Sequence, residues 1–578
     1  MQLLINHLGY ERIGVKHALI QTQTECPHHH AQLIRSSDGE AILQLPIEHC
    51  GSVDQWHTGE LYRVDFSDYQ EDGDYCLKVG EYTSKPFQIG QGLLMYRTFS
   101  DVLHYFKSQR CSGQYDHADR TAPLLDSEDT VDVHGGWYDA SGDVSKYFSH
   151  LSYANFFNPQ QIPMVVWNMA HAYSQLEDES QVADFTRVRL LEEATFGADF
   201  LLRMQAPQGF FYMTVFDKWS KKTNQRDICA YYSQDGHKTA DYQAGFRQGG
   251  GMAIAALAAT AQLSQLHSVA RVSPQSPVSS LDYLAAACKG YWHLKEHNTQ
   301  YLDDGEENII DEYCALMACV ELFKASEQTV FLDEARQWAQ RLMRRQHSDQ
   351  QQQHFWSANL DGSRPYFHAA EAGLPAIALM RYLSIESDNT LYLQAATVLQ
   401  NALQFELDIT QEVTNPFGYP RQYTKAVDGE KQSAFFVPHH NETGYWWQGE
   451  NARIASLASM AFMAQTYAND PVLEHALKDY GHQALNWIVG LNPFDMSMLD
   501  GHGSNNPDYL PHLGFFNAKG GICNGITAGF ENERDIAFNP EPHKDDMLQN
   551  WRWGEQWLPH GAWYLLAITL QYKERHHA

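Results

Sequence analysis

The chain has 578 residues, 43% of them hydrophobic, enough for more than one domain and a sizeable core. Its formal net charge of −30 argues against nucleic acid and anionic membranes as partners, and no run of about 18 or more apolar residues is present to span a bilayer. The nine cysteines are scattered without a CxxC pair, and Met1–His7 shows no basic stretch leading into an apolar run, so reduced thiols in a cytoplasmic protein are expected.

Residues 1 to about 90 read as β-structure. Tyr62, Val64 and Phe66 alternate with polar neighbours, and so do Tyr75, Leu77 and Val79. That is the period of a half-buried strand. Glu71-Asp72-Gly73-Asp74 between them is a turn signal, so Leu61 to Val79 predicts a hairpin. Phe87 and Ile89 supply a last strand. Short strands at this spacing predict a small β-sandwich, closing at Gly90-Gln91-Gly92.

From Met95 onward the period becomes helical. Apolar stripes predict twelve helices at 96–110, 162–176, 187–205, 249–264, 280–296, 310–325, 331–346, 368–385, 390–407, 449–468, 473–488 and 556–573. Some, such as Met252 to Ala259, carry few charges on any face and are expected to be buried on most sides. Alternating burial suggests an inner ring of six helices inside an outer six; a solenoid would need a fixed repeat, and none is visible. Three connections are long, 111–161, 206–248 and 489–555, and a fourth, 408–448, is moderately long. Long connections in a compact domain are usually functional, so these are expected to build a cleft.

They also contain the unusual residues. In His134-Gly135-Gly136-Trp137-Tyr138-Asp139-Ala140-Ser141-Gly142-Asp143, small residues allow a tight turn that can aim Asp139 and Asp143 at one point, while Trp137 and Tyr138 offer faces for a sugar ring. Asp and Gly are equally ordinary turn residues. Glu555 stands among Trp551, Trp553 and Trp557. Desolvation by indoles raises a carboxyl pKa, as a general acid requires. A carboxylate at a helix amino terminus is the competing reading, and it shifts the pKa down. Glu442, Trp446 and Trp447 suit a sugar platform or ordinary packing. Gly501-His502-Gly503-Ser504-Asn505 and Leu510-Pro511-His512 read as a polar loop able to bind hydroxyls, or as plain surface. The clusters His28-His29-His30, His439-His440 and His576-His577 lack spaced partners, so neither metal nor cofactor is expected.

Together an acid and a carboxylate pair supply the two roles of glycoside hydrolysis. With these motifs in view, the chain resembles glycoside hydrolase family 9 over nearly its full length. Ile5-Asn6-His7-Leu8-Gly9-Tyr10 resembles the start of the immunoglobulin-like module that precedes many of these catalytic domains. Ser108-Gln109-Arg110-Cys111, Gly135 to Asp143, Phe246 to Gly251 and Gly490-Leu491-Asn492-Pro493 are similar to elements of the catalytic domain. The resemblance implies a mainly α protein, with an immunoglobulin-like β-sandwich at 1–92 and an (α/α)6 barrel at 93–578. It also implies an inverting mechanism with Asp143 as base, Asp139 holding the water, Glu555 as acid and His512 in the substrate loop. Ser141 is an extra residue between the aspartates, which leaves open which of them takes the proton. Leu513 stands where an Arg normally follows the loop His. Some relatives carry zinc after the Gln-Arg-Cys element, but here Cys111 and His117 have no second Cys.

The extension Lys146 to Asn155 is similar to an exo-β-D-glucosaminidase branch from chitin-degrading marine bacteria. The expected substrate is therefore a short chitosan oligosaccharide cut from its non-reducing end, with Asp139 or Glu442 pairing with the sugar amine and Trp137, Tyr138, Trp446, Trp447, His512 and Trp551 lining the site. A β-1,4-glucanase of the same family and a non-catalytic sugar-binding protein are the alternatives.

Overall fold

The structure is a computed structural model that describes residues 1–266 and 279–574. His576 and His577 lie outside the described residues. Ten strands come first: Gln2–Leu4 (β1), Tyr10–Glu11 (β2), His17–Thr22 (β3), His30–Arg35 (β4), Ala41–Pro46 (β5), Glu48–Ser52 (β6), Glu60–Asp65 (β7), Gly73–Val79 (β8), Tyr82–Thr83 (β9) and Phe87–Gly90 (β10). They form two facing sheets, β1-β3-β7-β6 and β2-β10-β8-β4-β5, with β9 on β8. Ile20, Tyr62, Val64, Leu33, Leu77 and Ile89 fill the space between them.

The expected Leu61–Val79 hairpin is corrected here. Its strands exist as β7 and β8, but they belong to opposite sheets. Alternating apolar residues serve edge-to-edge and face-to-face partners equally well. Phe66 and Tyr69 fold into the linking segment, and Phe66 packs on Tyr10 and Phe87 at 5.2 and 5.5 Å between ring centroids. This anchors a crossover between sheets rather than a tight turn.

Fourteen helices follow among the described residues: Leu93–Ser108 (α1), Gly113–Asp119 (α2), Ile162–Leu176 (α3), Asp184–Arg203 (α4), Gly251–Leu266 (α5), Ser280–Tyr301 (α6), Ile309–Ser326 (α7), Thr329–Met343 (α8), Leu374–Leu383 (α9), Asn389–Gln411 (α10), Asn451–Ala464 (α11), Pro471–Ile488 (α12), Trp551–Gly554 (α13) and Leu558–Lys573 (α14). All twelve expected helices are present. The two extra ones, α2 and α13, are too short to show a period. Most starts fall within three residues of expectation, and the largest shift is α9, which begins at Leu374 rather than 368. The ring of His368 accepts backbone N–H bonds from Ala370 and Glu371, which folds 368–373 into a turn.

Polar residues start the helices where the backbone needs acceptors. Asn308 accepts from the Ile310 N–H, Asp388 from Thr390 and Leu391, and Asp470 from Val472 and Leu473. Alternate helices close into a ring: α3 packs on α5, α5 on α7, α7 on α9, α9 on α11, α11 on α14, and α14 back on α3. These six are buried nearly all round, as in Leu558 to Tyr572 of α14. Around them, α1 packs on α14, α4 on α3, α6 on α5, α8 on α7, α10 on α9 and α12 on α11. These outer helices keep a charged face in water, as their sequences require. All nine cysteines are unpaired.

Candidate active site

The turn carrying Asp139 docks directly on the segment carrying Glu555. Ala140 pairs with Trp557 as an isolated antiparallel bridge. The Ser141 N–H donates to the Gln556 carbonyl at 2.9 Å, and its hydroxyl accepts from the Gln556 N–H at 3.0 Å and donates to Asn517 at 3.2 Å. The additional residue between the aspartates is thus the one that staples the two long loops together. Leu558 N–H, at the start of α14, donates to the Asp139 carbonyl at 3.0 Å.

Asp139 is buried. Its Oδ1 accepts from the Trp557 indole N–H at 3.1 Å and from the Gln161 amide. Burial raises its pKa well above the usual carboxylate range, while the Trp557 and Gln161 donors pull the other way. Asp143 accepts from the Tyr147 hydroxyl at 2.5 Å and the Ser145 N–H at 2.8 Å. Burial, then the charges of Asp139 and Asp217, push its pKa up to about 6.

Glu555 faces this pair. A Cβ placed on Gly142 would lie 2.4 Å from its Oε1, and the Gly142 backbone N–H bonds to its carboxyl. Burial and the charges of Asp143 and Asp139 raise its pKa well above the ordinary value. The upward direction selects the desolvated-acid reading over the helix-terminus reading. Two of the three indoles are engaged elsewhere, however. Trp553 is fully buried against Trp447 and Phe530, Trp557 serves Asp139, and the ring beside Gly142 and Glu555 is Tyr509. The Tyr105 hydroxyl, buried and without a hydrogen-bond partner among the described residues, is within reach of the Asp139 and Glu555 charges. None of the three carboxyls is ion-paired to Lys or Arg among the described residues; besides the Trp557 indole, the His150 ring stands near Asp139, at 3.4 Å.

The expected sugar-contacting residues divide. Trp446 and Trp551 are half-buried and stand 4.9 Å apart, with Trp446 also 4.5 Å from His150 and 6.2 Å from Trp557. They wall the site. Trp137 is corrected: it is 0% exposed, its indole donates to Glu193 at 2.9 Å, and it packs on Phe106 and Phe196, so no sugar reaches it. Trp447 is corrected likewise. It is buried against His439 at 3.7 Å, under the Arg552 guanidinium. Tyr138 turns to Ser112 and Tyr115 instead of the carboxylates. Glu442 is held by both Arg364 nitrogens, Nε and Nη2, so its charge is spent within the protein. His512 lies exposed on a short turn three residues beyond Tyr509, and no bond joins it to the carboxyls. Sequence reasoning did not single out His150, Gln161, Tyr147 or Tyr509. For Tyr147, the four-residue interval from Asp143 was the available signal.

Among the described residues no group of three His, Cys, Asp or Glu is placed to hold a metal ion. The Cys111 thiol donates to Asp119, whose carboxylate is already taken by Arg226 and Lys146.

Two buried aspartates and a half-buried glutamate, none of them ion-paired to Lys or Arg among the described residues, meet from two loops at the end of a helical ring and define a site for acid–base hydrolysis of the glycosidic type. The family comparison agrees. Residues 96–522 match the glycosyl hydrolase family 9 model, and residues 1–84 match the cellulase N-terminal ig-like domain. The chain belongs to glycosyl hydrolase family 9, and it is a glycoside hydrolase. No curated protein matches it. Solved structures share the fold over nearly the whole length. A metagenome-derived family 9 endoglucanase aligns at 17% identity and TM-score 0.67, covering 99% of each chain. A Bacteroides ovatus family 9 protein aligns at 18% and 0.66, covering 99% of this chain and 98% of its own. A thermostable Alicyclobacillus acidocaldarius endoglucanase aligns at 16% and 0.65, covering 99% of each.

Proposed function

We propose that this chain is an inverting exo-β-D-glucosaminidase that releases glucosamine from the non-reducing end of chitosan oligosaccharides. One observation carries the reading: Glu555 is held at Gly142, facing Asp143, in a carboxyl cluster with no Lys or Arg ion pair among the described residues. A cation entering such a cluster favours ionisation of the carboxyl beside it, which a neutral sugar cannot do, so the cluster prefers a cationic sugar. Glu555 protonates the leaving oxygen, and Asp143 deprotonates the attacking water. With Glu442 neutralised by Arg364, the amine partner is Asp139.

The closed ring of helices supports an (α/α)6 barrel, with this site at one end. Exo action draws support from the loops beside Trp446. Gln234 donates to the Thr443 carbonyl, the Tyr153 and Ser233 hydroxyls are 2.5 Å apart, and Tyr445 donates to the Leu548 carbonyl. Loops stitched together this way suit the blocked groove that exo action requires. We place the enzyme in the cytoplasm, acting on imported short oligomers; nine unpaired thiols fit a reducing compartment. The endoglucanase names of several structural neighbours favour a second reading, β-1,4-glucan hydrolysis.

Proton NMR of the first product from chitosan dimer, beside cellobiose, tests the proposal. The α-anomer of glucosamine should appear first. Release of the β-anomer, or cleavage of cellobiose with none of chitosan dimer, overturns it.

A further inference from the structure

His150 follows the carboxylate turn and is 3% exposed. Its ring lies between those of Tyr147 and Trp446, at 4.3 and 4.5 Å between centroids. Neither ring nitrogen has a hydrogen-bond partner among the described residues. Nδ1 stands 3.4 Å from Oδ2 of Asp139, without the alignment of a hydrogen bond. The donors on that carboxyl, Gln161 and Trp557, both go to Oδ1.

Buried polar nitrogens in folded proteins are nearly always partnered, so a pair without partners beside a reaction centre points to a ligand atom. Burial lowers the His150 pKa to about 4, so at neutral pH the ring is uncharged and one nitrogen is an acceptor. Were Nδ1 protonated, it would donate to Asp139. Burial alone favours a proton on Asp139; an ammonium entering beside it favours the ionised carboxylate instead, and Oδ2 and Nδ1 then both face it as acceptors. Two acceptors this close need a donor with more than one hydrogen between them. An alkylammonium group has three such hydrogens, and a hydroxyl has one.

We propose that His150 is a specificity-determining residue that, with Oδ2 of Asp139, binds the protonated amine at C2 of the sugar being released. This rests on the glucosaminidase reading for its substrate. A glucose hydroxyl satisfies one of the two acceptors and strands the other, which disfavours it. The rings of Tyr147 and Trp446 fix the imidazole plane, so the acceptor cannot rotate away.

Tryptophan fluorescence reads the binding, because Trp446 touches His150. Wild type, His150→Phe and His150→Gln are titrated with D-glucosamine and D-glucose below the amine pKa. Melting curves are recorded, and kcat/KM is measured on chitosan dimer and cellobiose. Wild type should prefer glucosamine. His150→Phe should lose about tenfold or more of that preference, and His150→Gln, which keeps an acceptor, should retain most of it. Equal binding of both sugars by wild type overturns the inference, as does an unchanged preference in His150→Phe. An equal loss in both variants overturns the acceptor role. If His150→Phe fails to fold, the wild-type preference and its retention in His150→Gln decide. A His150-dependent preference in an enzyme that does not cleave chitosan dimer supports the inference while removing the exo-glucosaminidase reading.

Discussion

Asp143 and Glu555 are raised for overlapping reasons, burial and the charge of Asp139, yet their proposed tasks need opposite protonation states. Asp143 must be ionised to act as a base, so kcat/KM should rise through about pH 6. Glu555 must keep its proton, so the rate should fall on the alkaline side. A pH–rate profile checks this: a flat acid limb down to pH 4 rules out Asp143 as the base. The same shift has a stability sign. A carboxyl whose folded pKa exceeds its unfolded value stabilises the fold below the unfolded value, and that contribution is lost as pH rises through about 6. Asp143→Asn should therefore melt higher than wild type at neutral pH, by about 2 kcal/mol, with the difference vanishing below about pH 4. Gly142 supplies a sharper test of geometry. Its missing Cβ is the space that Oε1 of Glu555 occupies, with Tyr509 atoms 3.1 Å from the same point. Gly142→Ala should displace the acid and lower kcat about 100-fold while the circular dichroism spectrum stays native. Wild-type turnover in this variant would mean that Glu555 works from elsewhere.

The long connection between α2 and α3 has little regular structure, and a buried ion cluster holds it in place. Asp119, at the end of α2, binds Arg226 through both oxygens at 2.7 and 2.8 Å and Lys146 at 2.6 Å. Lys146 also donates to the Val133 and Gly135 carbonyls, beside the catalytic turn. Removing one member of a buried cluster leaves the others charged and unpaired. Asp119→Ala should cost about 3–5 kcal/mol in urea denaturation and lower turnover as well. A loss under about 1 kcal/mol would show that water reaches the two cations. This cluster also shows where sequence reading stops. The helices were legible because a 3.6-residue apolar stripe repeats for several turns and the inner six carry few charges, none at all in α3 and α5. That Asp139, Asp143 and Glu555 meet was suggested by acids set among glycines and amides on long connections, although the same residues also make ordinary turns and helix starts. Trp137 and Trp447 were misread because an indole looks the same in sequence whether it faces a sugar or a core. Asp119, Arg226 and Lys146 lie up to 107 residues apart, and a lone charge carries no mark of its partner. The β7–β8 crossover failed for a related reason: alternation fixes which face is buried but not which sheet covers it.

Across the whole molecule, the β-sandwich is part of the body that holds the site. The sheet β1-β3-β7-β6 is apolar on both faces. Ile20 and Tyr62 point into the sandwich, while Leu4, Leu19 and Leu61 join the core shared with the helices. Trp56 packs on Phe435 at 4.8 Å and on Trp487 of α12 at 6.3 Å. His7 makes the connection specific. Its backbone N–H donates to the Val489 carbonyl at 3.0 Å, and its ring meets Asp495 at 2.8 Å and Ser504 at 3.2 Å. A Cβ on Gly490 or Gly503 would come within 2.5 and 2.9 Å of His7 atoms, so glycine at both positions leaves His7 its space, beside the positive φ each adopts. Lys85 reaches the same Asp495 at 2.9 Å from the other side. The loop held this way runs on to Tyr509, which packs beside Glu555 and Gly142. A chain of contacts therefore leads from the first strand to the acid, with no flexible linker along it. His7→Ala should leave the sandwich folded, since its own core does not include His7. It should release the 490–505 loop and reduce kcat by about 10–100-fold through misplacement of Tyr509 and Glu555. Steady-state kinetics beside hydrogen exchange over 490–509 measures both halves. Faster exchange with unchanged kcat would confine the role of His7 to tying the sandwich to the helices, and would show that Glu555 is positioned from the Gly142 side alone.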